Sequence, residues 1–375
     1  MLTEQERKKY NRQLLLEEIG EAGQEKLKQA KVLVVGAGGL GCAVLPYLAA
    51  AGIGTIGIVD FDTVEAPNLQ RQVLFTEDDI GKRKALISAD KIIKQNSLIK
   101  ISPHPERLTT ENAEQLFNLY EIIVDCTDNF SSRYLINDAC MISGKPMVYG
   151  SVHRFEGQVS VFNFSKENNS PTYRCLFESP PETGTILSCS EVGVLGVLPG
   201  IIGMMQASEA IKIITGIGSV LSGKLVCFNA LAMSFSTIEF ERNKLADSRA
   251  PSTWDQLRKT DYSFDCETIC DIQIVFPEQL QLLIDNQEDI LFLDVRNILE
   301  NPVLTEWNSL RIPSTEIEKH IDEINHEKKV VVFCRSGNRS KTAVSILQNK
   351  FHFTNVYNLE GGLEEWFRFK KQAVV

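Results

Sequence analysis

The short apolar strand Lys31 to Gly36 runs into the glycines of Gly36-Ala-Gly38-Gly39-Leu-Gly41. At that spacing they let backbone N–H groups and a helix N-terminus close on a phosphate. Asp60 ends the next strand, Thr55 to Asp60, where a carboxylate can accept hydrogen bonds from ribose hydroxyls. These features alone leave NAD and ATP open. Three further charges stand past the ends of such stretches. They are Arg71 in the polar run Asp60 to Gln72, Lys84 in Gly81-Lys-Arg-Lys-Ala, and Asp128 in Asp125-Cys-Thr-Asp128-Asn129-Phe-Ser-Ser-Arg133. Two cations for phosphate oxygens and a carboxylate for Mg²⁺ suit a reaction that expels pyrophosphate. Hydride transfer has no use for that set, so the pattern points to ATP. A separate loop, Cys334-Arg335-Ser336-Gly337-Asn338-Arg339-Ser340, begins at the end of the strand Lys329 to Cys334. Backbone N–H groups, a helix N-terminus, Arg335 and Arg339 would there favour the thiolate of Cys334, its reactive form.

Groups at the ends of successive strands need a sheet to hold them. Over residues 1–242, short apolar runs alternate with helical patterns, which implies a mostly parallel, Rossmann-like sheet with helices on its faces. Residues 243–271 are polar and aperiodic and read as a linker, partly packed on the first domain. A second alternation begins near Ile272, giving a smaller α/β domain over 272–375. The 375 residues suit two domains, and the net charge of −10 argues against broad nucleic-acid binding, which needs a basic surface. The apolar stretch Val192 to Met205, broken by Pro199, falls short of the roughly 20 residues of a membrane span and reads as a buried helix. The charged N-terminus holds no apolar targeting core, and nine scattered cysteines show no disulfide framework. A cytoplasmic protein is expected, with no membrane or nucleic-acid partner.

The motifs of residues 5–240 resemble the MoeB/ThiF/HesA adenylyltransferases, relatives of the ubiquitin-activating enzymes. The resemblance implies that Gly39, Asp60, Asn68, Leu69, Gln70, Arg71, Lys84, Asp128 and Asn129 contact ATP, with Asp128 holding Mg²⁺. Tyr10-Asn-Arg12-Gln is similar to a family motif whose arginine enters the neighbouring subunit's nucleotide site. That implies a homodimer, whereas composition alone reads Arg12 as an exposed helix charge. In the family the C-terminal glycine carboxylate of a ubiquitin-like carrier protein, ending in Gly-Gly, attacks the α-phosphate. A cysteine at the place of Cys189 can link covalently to the carrier in some members. Many members also bind zinc through two Cys-x-x-Cys pairs. Here Thr172 replaces one ligand, and Cys266 and Cys270 have the wrong spacing, so no zinc is expected.

The Cys334 to Arg339 loop resembles a rhodanese persulfide loop more than a phosphatase loop. Leu293-Asp-Val-Arg296 and Leu359-Glu-Gly361-Gly362-Leu-Glu-Glu-Trp366 look like its flanking motifs, while Arg311-Ile-Pro-Ser is a poor match to a third. The joined domains are similar to the MoeB-rhodanese architecture, with a persulfide on Cys334 supplying sulfur from a donor such as a cysteine desulfurase. The loop Tyr173 to Pro181 looks closer to MoeB, so the expected carrier is MoaD-like and serves molybdopterin synthesis. A ThiS-like carrier for thiamine thiazole is the alternative. From other classes, an NAD-dependent oxidoreductase and a non-catalytic scaffold are the rivals.

Overall fold

The chain divides into two compact units. The computed structural model describes residues 1–165, 169–179, 193–262, 272–298, 300–302 and 306–372.

In the first unit, helices α1 (Glu4–Lys9), α2 (Asn11–Leu14) and α3 (Gly20–Gln29) precede the strands β1 (Lys31–Val35), β2 (Thr55–Val59), β3 (Lys100–His104), β4 (Ile122–Asp125) and β5 (Met147–His153). Crossovers through α4 (Gly39–Ala51), α5 (Lys84–Gln95), α6 (Ala113–Asn118) and α7 (Phe130–Ser143) keep these strands parallel. Strands β6 (Glu156–Phe162), β7 (Lys224–Asn229) and β8 (Ser234–Glu239) extend the sheet antiparallel, in the order β3-β2-β1-β4-β5-β6-β7-β8. Both faces are covered, so β1 is apolar at successive positions: Val32 and Val34 enter one core and Leu33 and Val35 the other. On the first face lie α4, α5 and α9 (Leu198–Thr215), through Val44, Leu48, Ile92 and Ile202. On the second lie α6 and α7, with α8 (Tyr173–Leu176), through Phe117, Tyr134 and Tyr173.

The apolar stretch expected as a buried helix contributes α9, which opens with Pro199 in its first turn, where a missing N–H costs nothing. Its Gln206 is fully buried and donates to the carbonyls of Asp125 (2.6 Å) and Val148 (3.3 Å). No helix among the described residues is long and apolar enough to cross a membrane.

Residues 243–262 carry two short helices, α10 (Lys244–Asp247) and α11 (Trp254–Lys259), and belong to the first unit. Leu257 and Tyr262 enter the second core. There Asp138, fully buried, receives Arg174 Nε at 2.8 Å, Arg174 Nη2 at 2.7 Å and the Tyr262 hydroxyl at 2.7 Å.

The second unit is a parallel sheet of β9 (Gln273–Val275), β10 (Ile290–Asp294), β11 (Leu310–Arg311), β12 (Lys329–Phe333) and β13 (Val356–Leu359), ordered β11-β10-β12-β13-β9. Helix α13 (Asn338–Asn349) covers one face over Val330 and Val332. Helices α12 (Pro277–Asp285) and α14 (Gly362–Gln372) cover the other over Val331 and Phe333, with Leu280 and Trp366 buried.

Candidate functional site

Strands β1 and β4 are neighbours with Val35 opposite Asp125, so the glycine loop and the segment after β4 meet at one sheet edge. Gly36 turns with φ +97°, and a Cβ there would lie 2.7 Å from the Cys126 carbonyl. A Cβ on Gly41 would lie 2.2 Å from the Gly36 carbonyl. Only glycine fits either place. Gly38 sits at the N-cap of α4 without a side-chain cap, which leaves the first-turn N–H groups for an anion. Asp60 closes the mouth of the loop: Oδ2 accepts the Ala37 N–H at 2.7 Å and Oδ1 that of Asp62 at 2.8 Å. Burial pushes its carboxyl above the usual range, against the pull of those two N–H groups and Lys84.

A 3₁₀ turn at Ala66–Asn68 leads the chain back over this loop, and the Asn68 carbonyl accepts the N–H groups of Arg71 and Gln72. Arg71 Cγ thereby comes within 3.6 Å of the Cβ position of Gly39. Its guanidinium touches the Pro67 carbonyl at 3.3 Å and has no carboxylate partner among the described residues. Asp128, exposed past β4, likewise has no ion pair among the described residues and receives only Asn129 Nδ2 at 3.4 Å. Leu69 packs near Cys42 and Phe75, and Gln70 lies against Gly196. Two expected ligands also have partners within the chain. Lys84 is buried with its ammonium 3.0 Å from Asp62 Oδ2, and Asn129 caps α7 by accepting the Ser132 N–H at 2.8 Å.

Two neighbours were not foreseen as site residues. Gln72 is buried with Nε2 3.7 Å from the Cβ position of Gly38 and Oε1 unpartnered. Arg133 is buried beneath the segment and donates to the Thr127 carbonyl at 3.1 Å. Both stand inside the polar runs that mark the site, but burial is invisible in a run of polar letters.

Arg12 lies away from this edge. Its neighbour Gln13 donates to the Ala51 carbonyl at the C-terminal end of α4, and Tyr10 packs under Gly52. The glycine loop begins at the other end of that helix, about 18 Å away. Arg12 itself is exposed and without an ion pair among the described residues.

The donor set fits Mg²⁺ bound with a nucleotide: one exposed carboxylate, Asp128, beside a phosphate cradle, with the buried Asp125 Oδ2 unpartnered beneath it. Zinc fits poorly. The Cys175 sulfur accepts N–H groups from Thr172 (3.3 Å) and Asn243 (3.2 Å), and Thr172 Oγ1 bonds Asp247 at 2.8 Å. No cluster of three metal-binding side chains occurs among the described residues. Cys189, Cys266 and Cys270 lie outside the described residues.

The second unit places Cys334 between β12 and α13, with Ser336 exposed beside it. Its buried sulfur accepts the Gly337 N–H at 3.2 Å and faces the Ser340 hydroxyl at 3.5 Å. The first turn of α14 supports the loop from behind, with Leu363 N–H on the Cys334 carbonyl at 2.9 Å and Glu364 N–H on that of Arg335 at 3.0 Å. Asp294, opposite Phe333 at the end of β10, holds Arg296 in a buried bidentate pair. Arg311, in the poorly matching motif, bonds the carbonyls of Asn297 (2.6 Å) and Glu300 (2.7 Å).

Residues 10–249 match the ThiF family, and residues 276–368 match the rhodanese-like domain. A protein of Mycobacterium tuberculosis described as probable adenylyltransferase/sulfurtransferase MoeZ is 39% identical, over 97% of this chain and 94% of its own length. The sulfur carrier protein adenylyltransferase of Thermus thermophilus is 47% identical over 64% of this chain and 90% of its own. Among solved structures, E. coli MccB with succinimide superposes with a TM-score of 0.54 over 64% of this chain and 73% of that one. At 24% identity that likeness speaks for the fold alone. With similarity extending through both units, the chain belongs to the ThiF family and is a nucleotidyltransferase joined to a rhodanese-like sulfurtransferase domain.

Proposed function

We propose that the first unit uses ATP to adenylate the C-terminal glycine of a ubiquitin-like sulfur carrier, and that Cys334 then delivers sulfur to it. The observation that carries this reading is one edge of the sheet where a glycine cradle, Asp60, Arg71 and Asp128 converge, in a chain that also builds a thiol cradle. The T. thermophilus relative's description as a sulfur carrier protein adenylyltransferase supports the substrate class. The carrier is MoaD-like, in molybdopterin synthesis; the fusion of the two domains favours that pathway.

A carboxylate oxygen of the carrier attacks the α-phosphorus, the bond to the β-phosphate breaks, and pyrophosphate leaves. Carboxylate and triphosphate repel, so cations must offset charge as it builds. Loop N–H groups and Arg71 hold the phosphates, Asp60 the ribose, and Lys84 acts from the Asp62 side. Asn68, Leu69, Gln70 and Asn129 shape the nucleotide pocket. Mg²⁺, held by Asp128, would neutralise phosphate charge. Arg12 completes the site of a second copy, which makes the working unit a homodimer; its distance from its own glycine loop supports this assignment. Adenylation precedes attack by the terminal sulfur of a Cys334 persulfide on the acyl carbon. AMP leaves, and a thiol then reduces the acyl disulfide to release the thiocarboxylate. A cysteine desulfurase supplies the persulfide sulfur. Cys189 is the position for a covalent carrier link. In this reading the adenylating unit runs through residue 262 rather than ending at 242, and the rhodanese-like unit covers 272–375. The free thiols Cys42, Cys126, Cys140 and Cys334 support a reducing, cytoplasmic setting.

The test is Cys334→Ala with intact-mass spectrometry of the carrier. The variant keeps carrier-dependent ATP–pyrophosphate exchange and loses the sulfur-for-oxygen mass change. An unchanged rate of thiocarboxylate formation removes the second unit from the reaction.

A further inference from the structure

Both arginines of the Cys334 loop are already paired. Arg335 Nε meets Glu364 at 2.8 Å, but the side chains are 66% and 54% exposed, so solvent loosens and screens the pair. Arg339 is held differently. Its side chain is 16% exposed, and its two terminal nitrogens meet both carboxylate oxygens of Glu300, Nη2 to Oε2 at 2.8 Å. Such a fork-on-fork pair is the stronger geometry. Glu300 is anchored in turn, because its Oε1 accepts the Asn297 N–H at 3.0 Å and its carbonyl accepts Arg311. The bond to Arg339 holds the Glu300 carboxyl below its ordinary value, so the carboxylate stays charged at neutral pH. Arg339 also lies within the field of Cys334. The cation best placed to greet an anion at the thiol is thus cancelled from the other side.

We infer that Glu300 is a specificity-determining residue for sulfur loading: by cancelling Arg339 it makes the Cys334 loop discriminate against small dianionic sulfur donors. This rests on the reading of Cys334 as the persulfide site. In loading, the Cys334 thiolate attacks the donor's outer sulfur, a new S–S bond forms, and the donor's own S–S bond breaks with its electron pair. From thiosulfate the leaving group is sulfite, so a thiolate and a dianion must meet before it departs. From a persulfide RSSH the leaving group is RS⁻ and the proton stays on the new persulfide. Only the first path needs a free cation at the loop. Glu300 touches neither donor. It acts through Arg339, as a positioning residue.

The experiment compares two donors on the full chain: thiosulfate, and a cysteine desulfurase charged with cysteine. Persulfide at Cys334 is read by alkylation and peptide mass spectrometry. Glu300→Gln keeps the shape and frees the guanidinium. The ratio of thiosulfate to desulfurase loading rates should then rise by about tenfold, with a lower thiosulfate KM and a steeper salt dependence. A ratio taken on one protein is insensitive to general damage. Adding Arg339→Gln to Glu300→Gln removes the freed cation and should return the ratio to that of the parent. An unchanged ratio in Glu300→Gln, with Cys334 loading normally, overturns the inference. So does a raised ratio that survives in the double variant. No loading of Cys334 from either donor overturns the underlying reading, and the inference with it.

Discussion

Arg12 and Asp128 provide a test in which two dead proteins make a live one. The Arg12 segment is tied to the C-terminal end of α4 through Gln13 and Ala51, and the nucleotide loop opens the same helix about 18 Å away. An arginine side chain does not span that distance, so the role proposed for Arg12 lies in a partner's site. In a two-fold dimer each site takes Asp128 from one chain and Arg12 from the other. Homodimers of Arg12→Ala or of Asp128→Ala then hold no complete site. After exchange in equal amounts, half of the dimers are mixed, and each mixed dimer has one intact and one doubly defective site. About a quarter of all sites are complete, and carrier-dependent ATP–pyrophosphate exchange should recover to about a quarter of the parental rate. The control is a chain carrying both substitutions mixed with the parent, whose mixed dimers have no intact site. It should halve the activity that the same parental chains show alone. Native mass spectrometry verifies that mixed dimers formed. If they form and activity stays absent, Arg12 does not act across the interface.

Three further outcomes are expected. Asp128→Ala and Lys84→Ala should each lower pyrophosphate exchange by about 10²-fold or more; near-parental exchange in both would dismiss the assignment of the cradle. Arg174→Ala strips the bidentate partner from the buried Asp138 and should destabilise the first unit by about 3–5 kcal/mol. A urea midpoint matching the parent would mean that this pair adds nothing to the stability of the first unit. Elemental analysis should find no stoichiometric zinc, and a ratio of one per chain would point to Cys175, Cys266 and Cys270 as ligands.

The glycine loop and the Cys334 loop were legible because each is local: spacing, a preceding apolar run and a following helix lie in one short segment. What escaped depends on partners distant in the chain. Lys84 and Asp62 are both plain in the sequence, yet nothing there says that one sits on the other. Asn129, a ligand by the resemblance alone, also caps α7, a role its letter does not reveal. Helices α10 and α11 span only one or two turns, too short for an apolar period to emerge. The pairing of Glu300 with Arg339 joins residues 39 apart and leaves no mark in either motif. Arg311, in the poorly matching motif, ties the carbonyls of Asn297 and Glu300, partners that the motif does not reveal.

The hydroxyl of Tyr262 on Asp138 has a consequence for synthesis of the chain. The carboxylate arrives on α7, its guanidinium on α8, and its last donor only after the sheet is complete. A nascent chain emerging in order therefore carries a finished sheet whose buried Asp138 carboxyl still waits for its final partner. The seam at which the two units could be cut, expressed apart or exchanged between proteins lies after Tyr262. A fragment ending at residue 242 would leave Leu257's place in the core open as well. It should reach the cell as a substrate for quality-control proteases rather than as an autonomous enzyme.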